Sequence, residues 1–231
     1  MRRMKMIRAF IFDLDGTLAD TLESMAYVAN GIMKRFGLSE LPVDNFRYYS
    51  GEGAEMLIRR CLKDAGDPKL IHFEEARRLY REKFDEDPLY KVTPYDGIPE
   101  TLKEMKKRGL NLAVCSNKPH EAAVKVIHKL FGDELDLVIG QSDRIRRKPA
   151  PDAPLKAAEI FGVLPEECMY VGDTKTDMET GKAAGMYTIG ALWGFRDRQE
   201  LESSGADKVA ETPEELLKIY EEHKDDKISG K

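Results

Sequence analysis

Short apolar runs that end at acidic or small polar residues alternate along the chain with stretches whose apolar positions recur every three to four residues. The runs at residues 7–12, 110–115, 135–140 and 169–172 are continuous, which predicts strands buried on both faces, and residues 187–191 form a weaker one. Between them, residues 99–108, 119–131, 151–161 and 176–184 read as helices. Three of these open at Pro99, Pro119 and Pro151, and the four stop at Gly109, Gly132, Gly162 and Gly185. Proline near the start and glycine just past the end is the asymmetry of real helices. Strands alternating with helices of about ten residues predict an α/β fold, a doubly wound parallel sheet covered on both faces.

The alternation is interrupted once. Residues 20–94 contain no convincing strand and read as helices over 21–36, 52–65 and 69–85, with Asp20 and Glu23 placed as a capping box for the first. A helical module is thus inserted into the α/β core, which comprises residues 1–19 and 95–231. Pro94, Gly97 and Pro99 punctuate the return. Thr212 and Pro213 open a last helix over 214–222, and the charged residues 223–231 are expected to fray. A chain of 231 residues fits one full domain plus a smaller module at about 150 residues per domain.

Composition narrows the function classes. Nothing approaches the ~20 apolar residues that span a bilayer. Lys+Arg 37 against Asp+Glu 42 gives a net charge of -5, which excludes a nucleic-acid-binding surface spread over the whole molecule but leaves room for a small, locally held anion. The basic start at residues 1–6 is followed by a six-residue apolar stretch that already holds Arg8, too short for a signal peptide, so a cytoplasmic location is expected. Cys61, Cys115 and Cys168 are unpatterned and imply neither a disulfide nor a zinc site with any histidine.

Ligands of open parallel sheets sit beyond the carboxyl ends of the strands. There the sequence places Asp13-Leu14-Asp15-Gly16-Thr17, Ser116-Asn117-Lys118-Pro119, Lys148-Pro149, and Asp173 with Asp177 beyond it. Asp13 and Asp15, two apart, project to one side of an extended backbone. One carboxylate can attack while the other handles a proton. Crowded carboxylates need a cation, and Asp173 completes an all-oxygen set of the kind that suits Mg²⁺. Asp177 stands ready to hold a metal-bound water or to orient Lys148. Ser116 and Asn117 precede a helix start, a favourable place for an anion.

Each piece has a plainer reading: strand-end acids as turn formers, Ser116-Asn117 as a helix cap, Lys148 as part of the basic run with Arg144, Arg146 and Arg147. What those readings do not account for is four such pieces at successive strand ends.

Asp13-Leu14-Asp15-Gly16-Thr17-Leu18, Ser116-Asn117, Lys148-Pro149 and Gly172-Asp173-Thr174-Lys175-Thr176-Asp177 resemble the four motifs of the haloacid dehalogenase superfamily, and the subgroup resembled is the phosphoglycolate phosphatase type. The resemblance covers nearly the whole chain, including the helical insertion, which is similar to that subgroup's cap, and Trp193-Gly194-Phe195. It implies a Rossmann-like core and a phosphatase for a small phosphorylated metabolite, phosphoglycolate first, working as a monomer or dimer without nucleic acid or membrane. It further implies that Asp13 is the nucleophile and Asp15 the general acid and base. Ser116, Asn117 and Lys148 would bind the phosphoryl group. Mg²⁺ would be held by Asp13, the backbone carbonyl of Asp15 and Asp173, with Asp177 supporting them from behind.

Related chemistries are partly separable. Dehalogenases of the superfamily lack the second acid, so Asp15 argues against them. Mutases of the beta-phosphoglucomutase type carry a cap histidine twelve residues past the nucleophile, where this chain has Met25. Phosphotransfer, pyrophosphate cleavage and phosphate binding without turnover remain the alternatives. In the cap, Ser50-Gly51-Glu52-Gly53 reads either as a carboxylate-binding helix start or as an ordinary loop. Arg59, Arg60 and Lys118 are candidate partners for a second substrate charge. Cys115 reads as a buried, inert thiol beside Ser116, and Trp193 as a loop anchor.

Overall fold

The computed structural model describes residues 6–228, so the basic start at residues 1–5 and the last three residues of the tail lie outside it. The chain begins with β1 (Ala9–Phe12) and β2 (Ala19–Asp20). It then forms four helices, α1 (Leu22–Arg35), α2 (Phe46–Tyr49), α3 (Ala54–Ala65) and α4 (Phe73–Glu86). It returns through β3 (Thr93–Pro94) to α5 (Ile98–Lys107), β4 (Asn111–Pro119), α6 (His120–Phe131), β5 (Leu137–Gln141) and α7 (Asp152–Phe161). β6 (Cys168–Gly172), α8 (Lys175–Ala184), β7 (Tyr187–Ala191), α9 (Arg198–Ser203), β8 (Lys208–Ala210) and α10 (Glu215–Ile228) complete it.

The main sheet runs β5-β4-β1-β6-β7-β8 with every neighbouring pair parallel. Its central strand shows why the apolar run is unbroken. Phe10 and Phe12 enter one cluster with Ile98, Leu102, Val126 and Leu216, while Ala9 and Ile11 enter the opposite one with Ala153, Ala157 and Tyr170. Successive side chains of a strand face opposite ways, so helices on both faces require apolar residues at every position. The chain winds outward from β1 through β4 to β5 on one side and from β6 to β8 on the other. The strand order therefore reverses between β1 and β6, the place where such sheets hold ligands.

Helices α1 to α4 pack around a core of their own that includes Met33, Phe46, Ile58 and Leu62, all fully or almost fully buried. The strands leaving for and returning from these helices pair antiparallel, Ala19 with Pro94 and Asp20 with Thr93. Phe195, from the loop after β7, joins the helical cluster. Among the described residues no helix is long and apolar enough to cross a membrane.

Several local expectations are corrected. Asp20 does accept a hydrogen bond at the start of α1, from Leu22 N at 3.1 Å, but Glu23 does not close a capping box; it pairs with Lys91 Nζ at 2.7 Å. α4 starts at Phe73, not at residue 69, because Asp67 takes the N–H groups of Ile71 and His72, each at 2.9 Å, and holds the preceding turn. α10 extends through residues 223–228, beyond the 214–222 read from the sequence. β4 runs on through the Ser116-Asn117 motif to Pro119, with a register shift between Cys115 and Pro119, so α6 starts at His120. The short α2, α9 and β8 carry too few residues to show a period.

Candidate active site

The ends of β1 and β6 deliver Asp13 and Asp173, and the first turn of α8 adds Asp177; one carboxylate oxygen from each lies within 4.8 Å of the others. All three are buried. Small residues make the room. A side chain on Gly16, whose φ is +89°, would collide with the Asp173 carboxylate, and one on Gly194 would strike Asp173 Cβ and the Gly16 carbonyl. Asp173 accepts one hydrogen bond on each oxygen, from Thr17 Oγ1 and from Phe195 N, both at 2.9 Å. Trp193 anchors the same loop, donating Nε1 to Thr17 O at 2.9 Å.

Asp177 is differently placed. It is the third residue of α8, and its Oδ2 accepts from Thr174 N (3.1 Å) and Thr174 Oγ1 (2.6 Å) in a capping box. Its Oδ1 accepts from Lys148 Nζ at 2.7 Å and Tyr170 OH at 3.4 Å. Its four lone-pair directions are thereby occupied. Of the two roles open to Asp177 in the sequence, orienting Lys148 is the one this geometry serves.

Lys148, its side chain 3% exposed, also lies 2.8 Å from Asp13 Oδ1. That is an ion-pair distance without the angles of a hydrogen bond, and Asp13 Oδ1 has no hydrogen-bond partner among the described residues. Three buried carboxylates beside one ammonium leave two negative charges uncompensated. That crowding changes how tightly these groups hold protons. Burial, reinforced by the charge of Asp177, pushes Asp13 from the usual 3.8 up to about 7, despite Lys148. Burial likewise raises Asp173, with Asp177 and Asp13 adding to it. Burial alone would favour neutral Lys148, but Asp13 and Asp177 outweigh it and hold the ammonium protonated. A divalent cation of the hard, oxygen-seeking kind fits this set: an orphaned carboxylate oxygen on Asp13, free lone pairs on Asp173, and two charges to cancel.

Asp15 is not part of that carboxylate group. Its Oδ1 meets Lys118 Nζ at 3.0 Å, and both residues face the same cavity. Ser116 is 7% exposed and its Oγ accepts from Lys118 N at 3.1 Å. Asn117 ties β4 to the loop before α7: its Oδ1 accepts from Lys148 N at 2.9 Å and its Nδ2 donates to Lys148 O at 3.3 Å. The same Nδ2 reaches Gly51 O of the helical module at 3.3 Å. Cys115 is buried behind Ser116, and burial pushes its thiol well up, so it is inert.

A cavity of about 540 Å³ opens over Asp13, Asp15, Ser116 and Asn117, roofed by the helical module. Met25 lines it, as do Ser50, Gly51 and Gly53. Of the basic residues expected to meet a second substrate charge, only Lys118 is on its wall. Arg59 lies 3.8 Å over the Phe73 ring, and Arg60 is bonded to Glu52 and to the Tyr49 carbonyl. The wall instead carries Arg77, Tyr80, Arg81 and Phe84 of α4. Their spacing of 3, 1 and 3 residues marks one helical face, a signal present in the sequence but indistinguishable there from an ordinary packing face.

A second loop clasps roof to floor. Arg47 Nη1 donates to Gly194 O at 2.9 Å, and Arg196 donates to the carbonyls of Arg47 and, at 3.1 Å, Ser50. Residues 193–196 thus touch both Asp173 and the helices above the cavity.

The chain is similar to known proteins. A family model described as haloacid dehalogenase-like hydrolase matches residues 10–191. Phosphoglycolate phosphatase of Aquifex aeolicus is 37% identical over 94% of this chain and 98% of that protein. N-acetylmuramic acid 6-phosphate phosphatase of Pseudomonas aeruginosa is 29% identical over 96% of this chain and 97% of that protein. The crystal structure of a predicted phosphoglycolate phosphatase from Haemophilus somnus superposes with a TM-score of 0.85 at 25% identity, covering 94% of this chain and 99% of that one.

Proposed function

Because this chain belongs to the haloacid dehalogenase-like hydrolase family, we propose that it is a Mg²⁺-dependent phosphatase that hydrolyses a small phosphomonoester, phosphoglycolate first, through an aspartyl-phosphate on Asp13. The observation that carries this reading is the buried Asp13 carboxylate, one oxygen without a hydrogen-bond partner, beside a single lysine and two further acids.

In the first step an Asp13 carboxylate oxygen forms a bond to phosphorus as the ester oxygen leaves, and Asp15, as the acid, supplies the proton that makes the leaving group an alcohol. In the second step Asp15, now a carboxylate, takes a proton from water as the water oxygen bonds to phosphorus. Asp13 is released as a carboxylate and inorganic phosphate forms. Ser116 Oγ, Asn117 N–H and Lys148 bind the phosphoryl oxygens, and Asp177 keeps Lys148 aimed. Asp13, Asp173 and the backbone carbonyl of Asp15 would hold Mg²⁺. When bound, the ion supplies charge neutralisation between carboxylate and phosphate. The core spans residues 1–19 and 95–231 in this reading, with residues 20–94 as the cap that excludes water from the covalent step.

A second reading concerns size. A cavity of about 540 Å³ lies within the ~300–1,000 Å³ of pockets that enclose drug-sized ligands, more than a two-carbon acid phosphate fills. Larger phosphomonoesters therefore belong in the same screen. Phosphate release from p-nitrophenyl phosphate and a panel of phosphorylated metabolites with Mg²⁺, abolished by EDTA, is the expected result. Absence of release from every ester sinks the proposal, and a phosphosugar product in place of free phosphate replaces it with a mutase.

A further inference from the structure

Four basic side chains line the cavity, and three of them have acidic partners. Lys118 is bound to Asp15, and Arg147 faces Glu55 at 3.9 Å. Arg77 donates Nη1 to Glu55 at 3.2 Å and Nη2 to Glu74 at 2.8 Å, while its buried Nε has no partner among the described residues. Arg81 makes no hydrogen bond or ion pair among the described residues. Four residues apart, Arg77 and Arg81 occupy successive turns of one face of α4. That face also brings Tyr80 and Phe84 to the cavity, opposite the strand ends that carry Asp13 and Asp15.

A phosphomonoester bound with its phosphorus at Asp13 directs its leaving group away from the strand ends. We propose that Arg81, with the spare Nε of Arg77 beside it, is the specificity determinant that reads a negative charge on that leaving group, so the preferred substrates are phosphorylated carboxylic acids. The inference rests on the phosphatase reading and gives the carboxylate of its first candidate substrate named partners. A guanidinium presents a planar fork that matches a carboxylate with two parallel hydrogen bonds. An arginine already paired with a glutamate must break that pair to do so; Arg81 need not. Tyr80 and Phe84, both buried, flank it on the cavity wall. Because Arg81 is exposed and unpaired, folding does not depend on it.

The test compares two esters that differ in one charge, phosphoglycolate and 2-hydroxyethyl phosphate, on purified full-length protein with Mg²⁺. Wild type is expected to prefer phosphoglycolate in kcat/KM. Arg81→Ala is expected to shrink that preference about 10- to 100-fold, the loss of a charge-assisted hydrogen bond, and Arg81→Lys to restore part of it. Equal loss on both esters, or an undiminished preference in Arg81→Ala, overturns the assignment of Arg81 while leaving the phosphatase standing. Wild type that prefers the uncharged ester overturns the substrate class. If wild type hydrolyses neither ester nor p-nitrophenyl phosphate, the phosphatase reading itself fails and takes this inference with it.

Discussion

Lys118 Nζ lies 3.0 Å from Asp15 Oδ1, and the same ammonium sits 5.0 Å from the centre of the Phe84 ring on α4. The residue proposed to move protons is thus held by a lysine of β4 that an aromatic of α4 covers. Removing the lysine should loosen the acid without touching the nucleophile. Lys118→Met is expected to lower kcat about 10- to 100-fold, within the ~10²–10⁴-fold that a positioned acid contributes, with Lys118→Arg recovering part. Steady-state kinetics on p-nitrophenyl phosphate checks this; an unchanged kcat contradicts it.

The proposed mechanism divides the chemistry between Asp13 and Asp15, so their amides should fail differently. Asp13→Asn is expected to abolish turnover and the acid-stable trapping of ³²P on the protein. Asp15→Asn is expected to keep a trace of phosphoenzyme while kcat falls about 10²- to 10⁴-fold. Rapid acid quench with labelled substrate separates the two outcomes.

The upward shift of Asp13 links stability to pH. Its carboxyl moves from 3.8 to about 7 on folding, so between those values the metal-free folded protein holds a proton that the unfolded chain has lost. The stabilisation from that proton is complete below about pH 4, declines as pH rises towards 7, and stays lost above it. Asp173 is shifted in the same direction. In EDTA, the Tm of wild type relative to Asp13→Asn is expected to fall from pH 5 to pH 8. Adding Mg²⁺ at pH 8 should raise wild-type Tm by binding the ionised cluster. A rising relative Tm over that range in EDTA contradicts the assignment.

Gly194 backs directly onto Asp173 and the Gly16 carbonyl, and backbone cannot yield as a flexible side chain does. Gly194→Ala is expected to destabilise the fold by about 1–3 kcal/mol, the range for overpacking, and to weaken Mg²⁺ binding. Urea unfolding and a Mg²⁺ titration followed by Tm measure both effects. Full affinity with full stability would show the loop free to move aside.

Much of the fold was legible because most core strands hold a short apolar run closed by polar residues, and α5, α6 and α7 open near a proline and close at a glycine. β8 was not, since three residues ending the sheet at an edge need only one buried side chain, Ala210. Asp13 and Asp173 of the candidate site were legible for a similar reason: they follow strand ends directly. What they bond to was not. Asp15 with Lys118 joins positions 103 residues apart, and Thr17 with Asp173 positions 156 apart.

The amino-acid order alone determined where strands and helices form and which acids stand at the carboxyl edge of the sheet, because hydrophobic period and turn chemistry are local. Only the tertiary structure decided that Asp177 serves Lys148, that Arg59 and Arg60 turn away from the cavity, and that one face of α4 becomes its roof. Those choices depend on which surfaces meet when the helical module folds over the sheet, a packing relation that no stretch of sequence contains.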